Sequence, residues 1–416
     1  MKKTDLLKLS VGQIGNAMAF MVMFLFLPNY YIKVFATSDI PNTLAYLVIT
    51  ISFTAGAITY IFAGYLSDHT RTRWGKRRPF FLLAIPSGVA YLFLGFVIPS
   101  FSVISMFIFF SIFASTYAVL YRLEYCAYWS LYMDLTAPEE RITTSIIFNL
   151  FGTVGTISAL VLTPVLEKLL PSFFHLTLIV GTIFIGSVLF AFLFGPRENL
   201  DKFGQVDTST SFLKTIKQTV SDRNFFYYLL GSFFFVLGYS ISVLILMPFL
   251  EVQAVDLLFL LPFIIPVAIA YFIIFGRLAK AWGRLKTFKF AIKIGILIIP
   301  IAIFLLAGVA LLFIQVLLII IMILFVVIAI LTFQYAILMD LAPKGKEATY
   351  SGIYLFIIDI PIPISSALIG PIRDFIKIDF FIWNGTNFSF AIIFLITFIF
   401  LFVSYFFLRK IQAKEN

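Results

Sequence analysis

Long runs of apolar residues recur from one end of this chain to the other, separated by short polar stretches. A run of about 20 apolar residues crosses the hydrocarbon core of a bilayer as a helix. Twelve such runs lie approximately at 10–32, 42–66, 80–98, 102–133, 143–166, 173–195, 224–250, 254–275, 289–308, 311–339, 350–370 and 388–408. Backbone amides in lipid have no water to bond, so each run is expected to be α-helical rather than an open strand. Composition agrees: 62% of the chain is hydrophobic and 12% charged, against about 45–50% and 25% in soluble domains. The expectation is an all-α membrane protein of twelve transmembrane helices.

Charge sets the orientation. Twenty-four of the thirty Lys and Arg residues fall on the termini and loops of one side. Four, Lys33, Lys168, Arg373 and Lys377, fall on the other, and Arg122 and Lys293 lie within runs. Such an asymmetry predicts that both termini are cytoplasmic, in a multi-pass protein of the cell membrane. The net charge of +10 is thereby accounted for. A nucleic-acid partner would need a basic soluble domain, which this pattern lacks. The opening stretch MKKTDLLKLSVGQIGNAMAF leads into a full-length run without a small-residue cleavage site, so the first helix is expected to be retained.

Catalytic chemistry finds little support. The single cysteine, Cys126, forms no intramolecular disulfide, and His69 and His175 stand too far apart in sequence to suggest a metal cluster. No phosphate-binding G-x-x-x-x-G-K-[ST] motif and no nucleophile–base pair stands out, so neither ATP-driven pumping by this chain nor a membrane enzyme is expected, and no cofactor is called for.

An internal repeat runs through the chain. The loop after the second run reads GYLSDHTRTRWGKRRPFFLLAI, and about 210 residues later GRLAKAWGRLKTFKFAI follows the eighth. Gly64, Trp74, Gly75 and Lys76 answer to Gly276, Trp282, Gly283 and Arg284. Likewise LYMDLTAPEERITTSIIFNLF ends the fourth run and ILMDLAPKGKEATYSGIYLFI the tenth, so that Asp134 answers to Asp340. Two six-helix bundles are therefore expected, 1–195 and 224–416, joined by a polar cytoplasmic linker at 196–223.

The segment GYLSDHTRTRWGKRRPF, residues 64–80, resembles the loop 2–3 signature of the major facilitator superfamily. Its RTRWGKRRPF ending, with AYWSL at 127–131, is similar to the glycoside-pentoside-hexuronide:cation symporter branch, which holds the melibiose carriers and is similar to plant sucrose carriers. The resemblance implies a major facilitator fold in two pseudo-repeats and a latch at the cytoplasmic ends of the halves. Gly64, Asp68, Arg71, Gly75, Arg77 and Arg78 would form it, Gly64 by allowing close helix approach and Gly75 by a tight turn. Asp134, Glu139, Arg141 and Asp340 read as members of the same charge network, although helix capping accounts for each as well.

Substrate chemistry is expected deeper. Ionisable residues inside a span are costly and usually face a cavity. Arg122 and Glu124 lie about 18 and 15 Å from Asp134 at about 1.5 Å per residue, and about 200° apart around the helix. Each therefore needs its own partner. Glu124 is expected on a stripe with Tyr117, Tyr121 and Tyr128, and Arg122 on one with Tyr125, Cys126 and Trp129. Aromatic faces beside a charged hydrogen-bonding group suit a sugar ring, although aromatics at 18% of the chain also produce stripes by composition alone. Candidate substrate residues are Arg122, Glu124, Tyr121, Tyr125, Trp129, Asn16 and Asn149, with Gln334 as a further polar position. Asp359 is the other intramembrane carboxylate, and Pro361 and Pro363 after it are expected to break the helix and leave carbonyls free, as in ion sites. A structural salt bridge is its alternative role. Lys293 is expected to snorkel to the headgroups.

One departure from the resemblance is informative. Melibiose-type carriers place two coupling-cation carboxylates on helix 2, at positions that are Gly56 and Tyr60 here, and one on helix 4, where Tyr125 stands. The sodium site is not carried over. If transport is ion-coupled, a proton on Glu124 or Asp359 is then the expected coupling ion, with uncoupled transport as the alternative. The leading expectation is a monomeric secondary transporter moving a sugar or glycoside with H+ by alternating access. A carrier of a lipid, drug or other apolar solute, and a non-transporting receptor or assembly factor on the same fold, are the alternatives.

Overall fold

The structure is a computed structural model and describes residues 3–136, 141–196, 221–306, 313–341, 347–376 and 385–411. Among these, twelve helices are long and apolar enough to cross a membrane: α1 (Thr4–Val34), α2 (Pro41–Gly64), α3 (Arg78–Gly95), α4 (Val103–Tyr132), α5 (Ile147–Leu169), α6 (Phe173–Phe194), α7 (Arg223–Val252), α8 (Leu257–Trp282), α9 (Arg284–Leu305), α10 (Phe313–Gln334), α11 (Ile353–Phe375) and α12 (Asn387–Arg409). Side chains are distributed as lipid requires. Large apolar residues such as Phe259, Phe304 and Ile314 are exposed, while Asn16, Arg122, Glu124 and Asp359 are buried. A soluble protein would show the reverse. The chain is an all-α, multi-pass membrane protein.

Two compact units divide the helices. The first comprises residues 1–38 and 48–209, the second 39–47 and 210–416. In the first, α1 packs on α6 and α5, and α3 on α4 and α6. In the second, α7 packs on α12 and α11, and α9 on α10 and α12. These four pairings correspond helix for helix, so the two units are pseudo-repeats. The repeat extends to the turns: Gly75 and Gly283, aligned by sequence, both adopt positive φ, 112° and 84°, where a side chain would be strained. The polar stretch at 196–223 lies almost wholly outside the described residues. The sequence did not anticipate that 39–47, the first turns of α2, group with the second unit.

Prolines mark the irregularities. Pro28 cannot donate to the carbonyl four residues back, and the turn before it, Val22–Phe26, widens to a π-helix. In α7 an interruption at Ile245 separates Arg223–Leu244 from Leu246–Val252, which contains Pro248. The break expected after Asp359 is slighter than the sequence suggested. Helix Glu347–Asp359 gives way to Pro361–Phe375, yet Ile360 keeps helical dihedrals of −61° and −32° and its N–H reaches the Phe356 carbonyl at 3.2 Å. Proline's own φ is helical, so the rings interrupt the hydrogen bonds but not the path. The hydroxyls of Ser365 and Ser366 bond the carbonyls of Pro361 and Pro363 at 2.9 and 3.0 Å.

Candidate functional site

The basic loop after α2 is built by a tight turn in which Thr72 and Gly75 exchange backbone hydrogen bonds of 3.2 and 3.0 Å. The Thr72 hydroxyl donates to the Gly75 carbonyl at 2.8 Å. The turn aims the next three cations back at the bundle. Lys76 lies 3.5 Å from the Asp134 carboxylate. Arg77, 3% exposed, donates to Asp134 through Nε at 3.2 Å and to the Ser67 hydroxyl at 2.5 Å. Arg78 donates to the Phe192 carbonyl and lies over the Phe192 ring. In the second unit Arg284, the counterpart of Lys76, holds Asp340, the counterpart of Asp134, at 2.7 Å. Each unit thus closes its own charge pair. Arg71 is exposed. The side chains of Asp68 and Arg141, and all of Glu139, lie outside the described residues. A Cβ at Gly64 would meet nothing within 4 Å among the described residues, so those residues show no close helix approach there.

These pairs differ in burial, and the difference has a measurable consequence. Removing the Asp134 carboxylate strands the buried Arg77 and is expected to cost about 1–3 kcal/mol. The Arg284–Asp340 pair is 40% and 52% exposed, and its loss is expected to cost about 0–1 kcal/mol. Thermal unfolding of Asp134→Ala and Asp340→Ala in detergent is therefore expected to show the larger loss for Asp134→Ala.

Deeper in the first unit, Arg122 and Glu124 are both fully buried on α4. As their spacing requires, they face different neighbours. The Arg122 guanidinium sits over the rings of Phe53, Tyr121 and Phe20, at 4.6, 5.2 and 5.8 Å from their centroids. Gly56 of α2 forms its floor: a Cβ at Gly56 would come within 2.9 Å of Nε and 3.2 Å of Cζ. Tyr60, one turn on, packs with Ala63 and Cys126. Glu124 instead faces Asn16 of α1. Among the described residues, neither carboxylate oxygen, and neither polar atom of the Asn16 amide, finds a hydrogen bond of good geometry.

The aromatic stripe runs differently from the expectation. Tyr117, Tyr121 and Tyr125 stack in succession at 5.4 Å, and Trp129 closes the ladder at 6.4 Å from Tyr125. Spacing of four residues puts all of them on one face of α4, so Tyr117 and Tyr121, expected on the Glu124 stripe, share a ladder with Tyr125 and Trp129, expected on the Arg122 stripe. Gln13 of α1, which the sequence reading passed over, donates to the Tyr125 hydroxyl at 3.3 Å, and its side-chain oxygen has no partner. Gln13, Asn16 and Phe20 lie three and four residues apart on α1, which is the signal that would have found them as one face. Phe20 and Phe53 carried no signal among 53 phenylalanines. Asn149 is exposed.

Asp359 belongs to the second unit, where it is 8% exposed and lies beside Tyr239. Gln334 contributes its backbone carbonyl, which accepts from Tyr228. Lys293 is exposed and reaches the Tyr405 ring at 5.4 Å, as a snorkelling lysine does.

Residues 9–366 match the family model of the Major Facilitator Superfamily. The chain belongs to that superfamily of membrane transporters. It is 32% identical over 148 residues to the isoprimeverose transporter of Lactiplantibacillus pentosus; that alignment spans 35% of this chain and 30% of the relative's length. Among solved structures, a bacterial homologue of the human lysosomal transporter Spinster superposes with a TM-score of 0.70 at 16% identity, each chain covered in full. The POT family transporter PepTSo gives 0.72 at 12% identity, covering 100% of this chain and 99% of that one. The nucleoside transporter NupG gives 0.68 at 15% identity, over 98% and 100%. At such identities the structural likeness defines the fold.

Proposed function

We propose that this transporter carries a sugar or glycoside together with a proton by alternating access, in the cell membrane with both termini cytoplasmic. The observation that carries the reading is Glu124: a fully buried carboxyl whose two oxygens lack hydrogen bonds, set beside the equally unsatisfied amide of Asn16. Buried polar groups in native proteins are paired, and each exception asks for a reason. A ligand hydroxyl or a proton supplies one. The ladder of Tyr121, Tyr125 and Trp129 offers ring faces, and Gln13 and Arg122 offer further donors, which is the mixture a sugar needs. The L. pentosus relative, named for isoprimeverose, supports a sugar cargo.

A proton suits the site better than sodium. Where the resemblance would put one carboxylate of a cation site, the chain has Gly56 under the Arg122 guanidinium. A fixed cation there repels a second one. One carboxyl suffices to carry a proton, whereas sodium calls for several oxygens.

Purified protein in proteoliposomes tests this reading. Labelled disaccharides are expected to accumulate when the outside is made acidic, with no response to a sodium gradient. Sugar-independent uptake of apolar compounds, or accumulation driven by sodium alone, would overturn it.

A further inference from the structure

Where α7 begins and α12 ends, the second unit carries cations on two neighbouring helices. Arg223 is the first residue of α7 and Lys410 follows the last residue of α12, and these helices pack side by side. An open cavity of about 470 Å³ at their ends is lined by Asp222, Arg223, Asn224, Tyr227 and Lys410. That volume falls within the range of about 300–1,000 Å³ usual for small-molecule sites. Tyr227 stands between the two charges, its ring centroid 5.7 Å from the Arg223 guanidinium and 5.3 Å from the Lys410 ammonium. Asp222 is the one carboxylate in this lining, and it is engaged as the N-cap of α7. It accepts from the backbone N–H groups of Asn224 and Phe225 at 3.0 and 3.1 Å. The two cations, both exposed, leave the cavity with an excess of positive charge.

The surroundings of the cavity select its ligand. Both helices cross the membrane, so their ends stand at the level of the lipid headgroups. Phe226 of α7 and Phe406 of α12 are exposed beside the cations, and Lys410 lies 4.3 Å from the Phe406 ring centroid. Back along α12 the exposed residues continue as Phe402, Ile399 and Leu395. Steps of three and four residues put all of these on one face with Lys410. From Phe406 to Leu395 the rise is about 16 Å at about 1.5 Å per residue. One leaflet, half of a hydrocarbon core of about 30 Å, is about as deep. Exposed apolar stripes are ordinary in a membrane protein. A cavity with two cations at the head of the stripe gives this one a ligand, because a free anion would use the charges and leave the apolar track idle.

We propose that this cavity binds the headgroup of an anionic phospholipid, with an acyl chain laid along the exposed stripe of α12. Arg223 presents a planar fork of donors to the phosphate and Lys410 a point charge. Asn224 and Tyr227 add uncharged hydrogen-bonding groups to the same lining. Basic pockets between membrane helices take anionic headgroups for this reason. A zwitterionic phospholipid carries the same phosphate together with its own ammonium, which competes with the protein's cations and weakens the contact. One bound lipid touches a cation on each helix, so it ties the start of α7 to the end of α12. The same end of α12 is held by α9, whose Lys289 donates to the Ile411 carbonyl at 3.0 Å. The inference needs only the membrane fold and is independent of the cargo and of the coupling ion.

Full-length protein in a neutral detergent, mixed with dioleoyl-phosphatidylglycerol or dioleoyl-phosphatidylcholine, tests the site by native mass spectrometry and thermal unfolding. The parent is expected to retain phosphatidylglycerol in preference and to unfold at a higher temperature with it. The double variant Arg223→Gln, Lys410→Gln is expected to bind phosphatidylglycerol about thirtyfold more weakly, the worth of two cations at a membrane surface. Its thermal gain is expected to vanish, with phosphatidylcholine binding unchanged. Lys410→Glu reverses the charge at the rim and stands in if the double variant does not fold. Lys280→Gln with Lys286→Gln removes as much charge from exposed positions where α8 ends and α9 begins, outside the cavity, and is expected to behave as the parent does. An equal loss in that control pair would overturn the site in favour of diffuse surface charge. Glycerol 3-phosphate protecting as well as the lipid at the same concentration would overturn the lipid assignment in favour of a free anion. Undiminished retention of phosphatidylglycerol in both Arg223→Gln, Lys410→Gln and Lys410→Glu would overturn the proposal outright.

Discussion

Replacing Arg122 by methionine is expected to abolish solute binding while leaving the protein folded. Methionine keeps most of the side-chain volume against Phe20, Phe53 and Tyr121, so it tests the guanidinium and not the packing. Loss of two hydrogen bonds from a charged donor to sugar hydroxyls corresponds to a weakening of about 100-fold or more. Stability is expected to hold or rise, because a buried cation carries a desolvation cost of several kcal/mol that the substitution removes. Ligand-induced thermal shift with purified protein reads both quantities together. A sugar-induced shift that survives in Arg122→Met would remove the residue from the binding site and favour an apolar cargo. Gly56→Val gives the same test from the opposite helix. Its Cβ would come within 2.9 Å of the Arg122 Nε and 3.1 Å of its Cδ, and the added methyl groups displace the guanidinium without changing any charge.

Proton coupling should fail in Glu124→Gln while exchange persists. Glutamine has the shape of the carboxyl and keeps a hydrogen-bonding end beside Asn16, but it cannot carry a proton across. With one proton per solute, a one-unit pH gradient supports up to about tenfold accumulation. The variant is expected to equilibrate at no accumulation, while counterflow of labelled against unlabelled sugar continues. The direction of the pH effect follows from the mechanism: acidity on the side of uptake loads the carboxyl, so wild-type accumulation rises as that side is acidified, and the glutamine variant is flat. Retained accumulation in Glu124→Gln would move the coupling role elsewhere, and Asp359 of the second unit is then the carboxyl to test.

What the sequence disclosed follows the range over which each interaction acts. Span number was legible because lipid imposes the same apolar length on every crossing. The pseudo-repeat was legible because Gly75 and Gly283 carry a backbone requirement that their own turns impose, and because Asp134 and Asp340 each close a pair with a cation of the adjacent turn. The i, i+2 separation of Arg122 and Glu124 foretold that they would part company. Partners brought by other helices were not legible. Nothing near Gly56 in sequence announces the arginine above it, and nothing near Asn42 announces Asp374, whose carboxylate accepts from the Asn42 side-chain amide at 2.7 Å. Spacings of three and four residues both approximate a helical turn, so the sequence allows two aromatic stripes on α4, and only packing joins Tyr117, Tyr121, Tyr125 and Trp129 into one ladder. Asn149 stands out for its polarity inside an apolar run, and it is exposed. The two prolines after Asp359 were read as a rupture, but a ring with helical φ need only omit a hydrogen bond.

The Asp374 carboxylate in the last turn of α11 accepts from the backbone N–H groups of Asn42 and Thr43 in the first turn of α2 at 3.3 and 2.6 Å, and this remote cap bears on expressing the protein as two separate polypeptides cut within residues 197–220. Charge pairs close within each fragment, so neither would lose Arg77–Asp134 or Arg284–Asp340. The amino-terminal fragment alone would nonetheless begin its second helix without an acceptor for Asn42 and Thr43. Protease should nick that fragment near residues 38–43, and adding the carboxyl-terminal fragment should protect it.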